Sequence, residues 1–152
     1  MTTEKAKELI ALEKMAEDET LEINLSENPL KVRIPLISLN KDHFFYFDLS
    51  RKNGVRFKMN YQNRYQNKLI LVRIDIGKTL SHTNPDGKII TGSHIHYHDE
   101  IYFDKIASPL PTGILSDISD LRLSIVDFMR LINVNPIPVI NYKEDDHQQR
   151  LF

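Results

Sequence analysis

Apolar residues recur at helical spacing near both ends of the chain. Ala6, Leu9 and Ile10 begin a pattern that continues to Ala16, so we expect an amphipathic helix over residues 3–18. A second helix is expected within SDISDLRLSIVDFMRLINVNP, starting at Ser116 or Asp117. These two segments would bracket the domain.

Between the two helices the apolar positions alternate with polar ones, which is the pattern of strands buried on one face. Asn53 and Gly54 add a strong hairpin-turn signal. The expected class is therefore α+β: an antiparallel meander sheet of about six strands flanked by an N-terminal and a C-terminal helix. Residues 1–142 would form one domain, and 143–152 a polar, frayed tail. The strands are expected near residues 20–25, 30–36, 43–49, 55–59, 68–76 and 94–103.

The composition is that of an ordinary folded domain. Of 152 residues, 41% are hydrophobic and 27% charged. The chain has no cysteine, which excludes disulfides and thiolate ligands, so a bound metal would need nitrogen and oxygen ligands. The first residues resemble neither a signal peptide nor a membrane span, and we expect a cytoplasmic protein without a membrane partner.

The near-neutral net charge of −1 conceals a basic segment. Between Asp48 and Asp75 there are basic residues and no acidic ones, interleaved with tyrosine and amide side chains. Such a segment favours binding to phosphates and to unpaired bases. The alternative is a solvated hairpin with a lysine-protected edge. The candidate nucleic-acid-binding residues are Arg51, Lys52, Arg56, Lys58, Tyr61, Arg64, Tyr65 and Lys68.

The stretch HIHYHDE places three histidines at alternate positions. On a strand, His94, His96 and His98 would share one face, roughly 6.5–7 Å apart along the chain. This pattern fits a metal site for an ion such as zinc, a metal-free acid and base pair, a merely polar strand face, or a structural hydrogen-bond network with the HTNPDG turn. Two of the histidines would need a third ligand from elsewhere, and the available residues are Asp75, His82, Asp86 and Glu100.

HIHYH also resembles the signature of the histidine-triad nucleotide hydrolases and transferases, which would make His96 a nucleophile. The likeness ends at Asp99 and Glu100, which stand where that family has apolar residues.

A longer stretch, LILVRIDIGKTLSHTNPDGKIITGSHIHYH, resembles a family of small uncharacterised proteins from bacteria, prophages and phages. The likeness extends over roughly residues 43–140 and implies a mobile-element context without an established activity. The segment after the histidines, DEIYFDKIASPL, lacks the glycine expected there. Carried onto this chain, the resemblance marks Arg73, Asp75, His82, Asn84, Asp86, Gly87, His94 and His96.

The turn residues Asn84, Asp86 and Gly87 have a separate physical rationale. Short polar side chains bond the nearby backbone, and glycine accepts a positive φ. We expect them to form a rigid structural turn that holds His82 beside the histidine strand. Arg73 and Asp75 share a strand face and should either form an ion pair or clamp an anion.

These observations lead to a first functional hypothesis: a small mobile-element protein directed at nucleic acid, RNA more than DNA, and a histidine-dependent ribonuclease. His94 or His96 would accept a proton, His82 or the other would donate one, and Arg73 would stabilise the charged phosphate. The alternatives are a non-catalytic phage accessory protein that blocks a host defence nuclease or nucleoprotein, and a metal-binding module using His94, His96 and His98.

Overall fold

The computed structural model describes residues 1–27, 29–52 and 58–141, and strands dominate this part of the chain. The helices are α1 (Thr3–Ala11) and α2 (Leu121–Leu131). A seven-stranded antiparallel sheet contains, in spatial order, β1 (Lys14–Ala16), β3 (Leu30–Ser38), β4 (Phe44–Lys52), β5 (Lys58–Tyr65), β6 (Leu69–Ile76), β9 (His94–Tyr97) and β10 (Ala107–Pro109). Two smaller sheets pair β2 (Glu22–Asn24) with β11 (Val139–Asn141), and β7 (Ser81–Thr83) with β8 (Ile89–Thr91).

The expected α+β class with a meander of about six strands is therefore wrong. The described residues form eleven strands and two short helices, in a mostly β architecture. The helix expected over residues 3–18 already ends at Ala11, because Leu12 has an extended ψ of 131°. Met15 and Ala16 fit a helical spacing but pair with β3 instead.

Two further expectations fail at element ends. The second helix begins at Leu121, and its N-cap is Asp120 rather than Ser116 or Asp117. The histidine strand, expected over residues 94–103, ends at Tyr97, and the apolar residues Ile101 and Phe103 beyond it are exposed. The hairpin turn expected at Asn53 and Gly54 and the tail expected at 143–152 lie outside the described residues.

One face of the main sheet is covered by α2. The ring of Phe128 stacks on Tyr61 at 5.2 Å and lies 5.8 Å from Phe47. Both helices contribute apolar side chains to the same core, including Leu9 and Ile125. Burial of these side chains is the main stabilising contribution to the fold.

The opposite face of the sheet, called here the open face, is polar. Strand alternation places the even-numbered residues of β4 and β5 on it, together with Arg73 and Asp75 of β6. Two rows of cross-strand neighbours run over it from β3 to β9. The first row is Arg33, Asp48, Gln62, Arg73 and His96, and the second is Lys31, Ser50, Asn60, Asp75 and His94.

Neither described helix is long and apolar enough to cross a membrane.

Candidate histidine and carboxylate site

The candidate site forms where β6 and β9 pair on the open face. In the antiparallel register Arg73 lies opposite His96, and Asp75 lies opposite His94. Ile95, between the two histidines, points into the core and is 2% exposed. Its burial fixes the strand so that both imidazoles face Arg73 and Asp75.

Asp75 is the centre of this group. Its Oδ2 atom lies 3.2 Å from Nε2 of His94, 3.2 Å from Nε2 of His96 and 3.1 Å from Nε of Arg73. Its Oδ1 atom accepts a hydrogen bond from the Asn60 side chain. Burial would raise the pKa of Asp75, but the hydrogen bond from His96, the Arg73 charge and Asn60 together lower it to about 2. Asp75 is therefore a carboxylate at neutral pH.

Arg73 holds the group together through all three of its guanidinium nitrogens. Nε contacts Asp75, and Nη1 donates to Oδ2 of Asp104 at 2.8 Å. Nη2 lies 2.9 Å from Nε2 of His96. Because the Arg73 side chain is only 21% exposed, these charge-assisted contacts fix its position.

The hydrogen bonds assign one ring nitrogen of His94. Its Nδ1 lies 2.8 Å from the carbonyl oxygen of Gly92, which can only accept, so Nδ1 carries a proton. Nε2 of His96 lies between a donor and an acceptor: an Nη nitrogen of Arg73 at 2.9 Å and Oδ2 of Asp75 at 3.2 Å. Which of the two it bonds depends on whether Nε2 carries a proton. The Nε2 atoms of both histidines face the carboxylate of Asp75.

His82 joins the group from the β7–β8 hairpin. Its ring centroid lies 4.7 Å from that of His96 and 5.8 Å from that of His94. Nε2 of His82 donates to the carbonyl of Lys105 at 2.6 Å, so Nδ1 is the nitrogen left to exchange a proton. The three histidines named by the sequence thus lie together, with Arg73 in contact with one of them.

The turn after His82 anchors the hairpin to the main sheet. The Asn84 amide donates to the carbonyl of Ala107 at 2.9 Å and accepts from the Ala107 amide at 2.8 Å. Asp86 accepts from the backbone of Lys88, and Gly87 has a φ of +88°. Asp86 and Gly87 therefore act within the turn, whereas Asn84 bridges to β10.

His98 does not join the other histidines. Its Nε2 atom lies 2.9 Å from the carbonyl of Met1, and its ring packs 6.2 Å from that of Phe103. Among the described residues, the side chains that could jointly hold a metal ion are Asp75, His94 and His96, with ligand atoms within 4.8 Å of one another. Asp75, rather than His98, is therefore the third candidate metal ligand beside His94 and His96.

A pocket of about 450 Å³ opens beside the group. A second one of about 570 Å³ lies over β3, β4 and β5, and the two share Ser50 and Asn60 in their walls. The two pockets are therefore adjacent on the open face, and the smaller one lies beside the histidines. The first pocket is lined by Ser50, Lys52, Lys58, Met59, Asn60, Arg73, Asp75, Leu80, Ser81, His82 and His94.

The candidate nucleic-acid-binding residues are dispersed. Lys52, Lys58 and Lys68 are exposed, and the first two line the pocket. Arg64 is partly buried, and its Nε lies 2.6 Å from Asp48.

Three of the remaining candidates do not reach the open face as free side chains. Arg51 and Tyr61 are buried at 1% and 0% exposure, and the hydroxyl of Tyr65 bonds Nδ1 of His43 at 2.9 Å. Arg56 lies outside the described residues.

Two partners of the site had not been selected from the sequence. Asn60 holds Asp75, and Asp104 holds Arg73. Asn60 lies on the same strand face as Lys58 and Arg64, because all three are separated by even numbers of residues. This shared face is the sequence feature that could identify Asn60. Asp104 lies in an irregular loop, where period gives no guidance.

Residues 1–134 match the model of a family of unknown function, DUF6978. The chain belongs to this family. The match runs from α1 through α2, so the family region contains every residue of the site. Neither the curated proteins nor the solved structures contain a match.

Proposed function

We propose that this member of DUF6978 is a nucleic-acid-directed protein that binds single-stranded nucleic acid, RNA in preference to DNA, on its open face. The observation that carries the proposal is a pair of adjacent pockets on the open face, each lined by basic side chains. The resemblance to prophage and phage proteins supports a mobile-element context.

The charge of the open face favours an anionic ligand. Six basic side chains, against the two acids Asp48 and Asp75, line the two pockets, and a third acid, Asp104, contacts Arg73. They are Lys31, Arg33, Lys52, Lys58, Arg64 and Arg73. Phosphate contacts of this kind supply sequence-independent affinity.

Aromatic and guanidinium groups on the same face suit unpaired bases. Phe44 is 47% exposed, and Arg33 and Arg64 both lie over the ring of Tyr46, at 5.6 and 5.1 Å from its centroid. Aromatic side chains and arginine stack on bases without regard to sequence. The five strands from β3 to β9, spaced about 4.8 Å apart, give a width that matches a few nucleotides of an extended nucleic-acid strand.

The test is binding of a fluorescein-labelled single-stranded RNA, measured by anisotropy. Replacing Lys31, Arg33, Lys52 and Lys58 together by Gln should weaken binding at least tenfold. The control carries Gln at Lys5 and Lys7, two exposed lysines of α1 on the covered side. The logarithm of the affinity should fall with that of salt at a slope of about −3 if four phosphates are contacted. An equal loss in both variants, or no binding by the wild type, would refute the proposal.

A second candidate function is cleavage of the bound strand. His82 and His94 line one pocket wall with Arg73, and the two rings are 5.8 Å apart. In a metal-independent reaction, His94 or His96 would take the proton of a ribose 2′-hydroxyl as its oxygen attacks phosphorus. His82 would give a proton to the departing 5′-oxygen, and Arg73 would stabilise the charge on the phosphate.

A further inference from the structure

The geometry points to a divalent transition-metal site formed by Asp75, His94 and His96, on the open face beside the smaller pocket. Oδ2 of Asp75 and the two Nε2 atoms converge on one volume. A neutral imidazole offers one nitrogen lone pair to a metal, and because Nδ1 of His94 donates to Gly92, Nε2 is the nitrogen of His94 that can ligate. A metal ion in this volume would be bound by all three atoms.

Two of the three separations between ligand atoms fit an ion of the zinc size, and the third is within 4.8 Å. Bonds of about 2.0–2.1 Å place tetrahedral ligand atoms about 3.3–3.4 Å apart. The distances from Asp75 Oδ2 to the two Nε2 atoms are both 3.2 Å. Two histidines and one carboxylate are a ligand set used for zinc and for iron, with further positions left open.

The surroundings also resemble those of a metal site. A ligating histidine usually donates its second nitrogen to a carbonyl or carboxylate, and His94 does so to Gly92. Asn60 fixes the other oxygen of Asp75. Asp75 and His94 line the pocket, so the open coordination positions would face it.

Arg73 is the nearest competing cation, and its contacts allow the ion to bind. For the ion to bind, only the contact between Nη2 of Arg73 and Nε2 of His96 must break. Nε and Nη1 of Arg73 keep their bonds to Asp75 and Asp104. The two carboxylates exceed the single guanidinium charge by one, and this excess favours a dication. His82 is then the pocket histidine left to carry a proton, because the other two serve as ligands.

The test is calorimetric titration of tag-free, EDTA-treated protein with zinc chloride, in the absence of nucleic acid. We expect one equivalent to bind, with no competition from millimolar magnesium, because imidazole ligands favour zinc over magnesium. Asp75→Asn, His94→Gln and His96→Gln should each weaken binding beyond the roughly 10- to 100-fold typical of indirect partners. His98→Gln is the matched control and should stay within twofold.

A second measurement uses only the wild-type protein, so its result does not depend on whether the variants fold. Cobalt(II) added to the wild type should give visible ligand-field absorption, and zinc should shift the ring resonances of His94 and His96 but not those of His43. Absence of zinc binding by the wild type, or shifts confined to His43 and His98, would overturn the inference. Because RNA is absent, this result is independent of the proposed nucleic-acid binding.

Discussion

The ammonium of Lys14 donates to the carbonyl oxygen of Ile132 at 2.7 Å, which joins the end of α2 to the start of the sheet. The same nitrogen donates to Ile10 and Leu12 at 2.9 and 2.8 Å. The carboxyl ends of both helices therefore meet at one buried cation, where their dipoles favour positive charge. Lys14 orders the covered side of the sheet.

We expect Lys14→Met to lower the free energy of unfolding by about 1–3 kcal/mol, because it leaves three carbonyl groups without this donor. Urea denaturation at pH 7 measures the change. Lys5→Met, on the exposed side of α1, is the control and should have little effect. Equal stability of wild type and Lys14→Met would show that packing of the aliphatic stem is the whole contribution of this residue.

Lys14 should also make stability depend on pH. Burial lowers the pKa of Lys14 to about 7, whereas the unfolded chain keeps the ordinary value of 10.5. Between these values the unfolded state binds a proton that the folded state lacks, so stability rises with pH. Unfolding curves from pH 7 to 9.5 should show that the free energy of unfolding of the wild type rises relative to that of Lys14→Met by up to about 1.4 kcal/mol per pH unit. A pH-independent difference would contradict this linkage.

Asn84 is expected to control the position of His82. Its side-chain amide makes two bonds to the backbone of Ala107, and Asn84→Ala removes both within a buried region. Hydrogen exchange should then accelerate at the Ala107 amide and across residues 81–91. Asp86→Ala is the matched control, since its single bond to Lys88 lies within the exposed turn. Unchanged exchange in Asn84→Ala would mean that other contacts hold the hairpin.

The local part of the site could be predicted from strand period alone. Alternation placed Arg73 with Asp75, and His94 with His96, because each pair is two residues apart on one strand. The order of the strands in the sheet depends on pairing between residues far apart in the chain. A single sequence does not reveal this pairing. The rows that connect Arg33 to His96 and Lys31 to His94 are therefore a result of the structure alone.

His98 shows why the pattern of three histidines was misleading. Asp99 accepts from the amides of Ile101 and Tyr102, and its backbone pairs with Phe103, which has a φ of +59°. This tight loop ends the strand before His98, whose ring turns toward the N-terminus. The aspartate was the local signal, but its tendency to start turns competed with an unbroken alternation.

The roles of the histidines in strand cleavage can be separated by a chelator. If the metal site supports the reaction, zinc-loaded protein should cleave single-stranded RNA, and EDTA should remove the activity. His82→Ala should keep zinc binding but lose activity by roughly 10²–10⁴-fold, the usual contribution of a general acid or base. His43→Ala is the control, because His43 contacts Tyr65 and lies outside the pocket.

Cleavage that resists EDTA but is lost in His94→Gln would instead make His94 a proton carrier. If RNA stays intact under every condition, the open face binds nucleic acid without cleaving it, because the basic side chains that contact phosphate do not depend on the histidines.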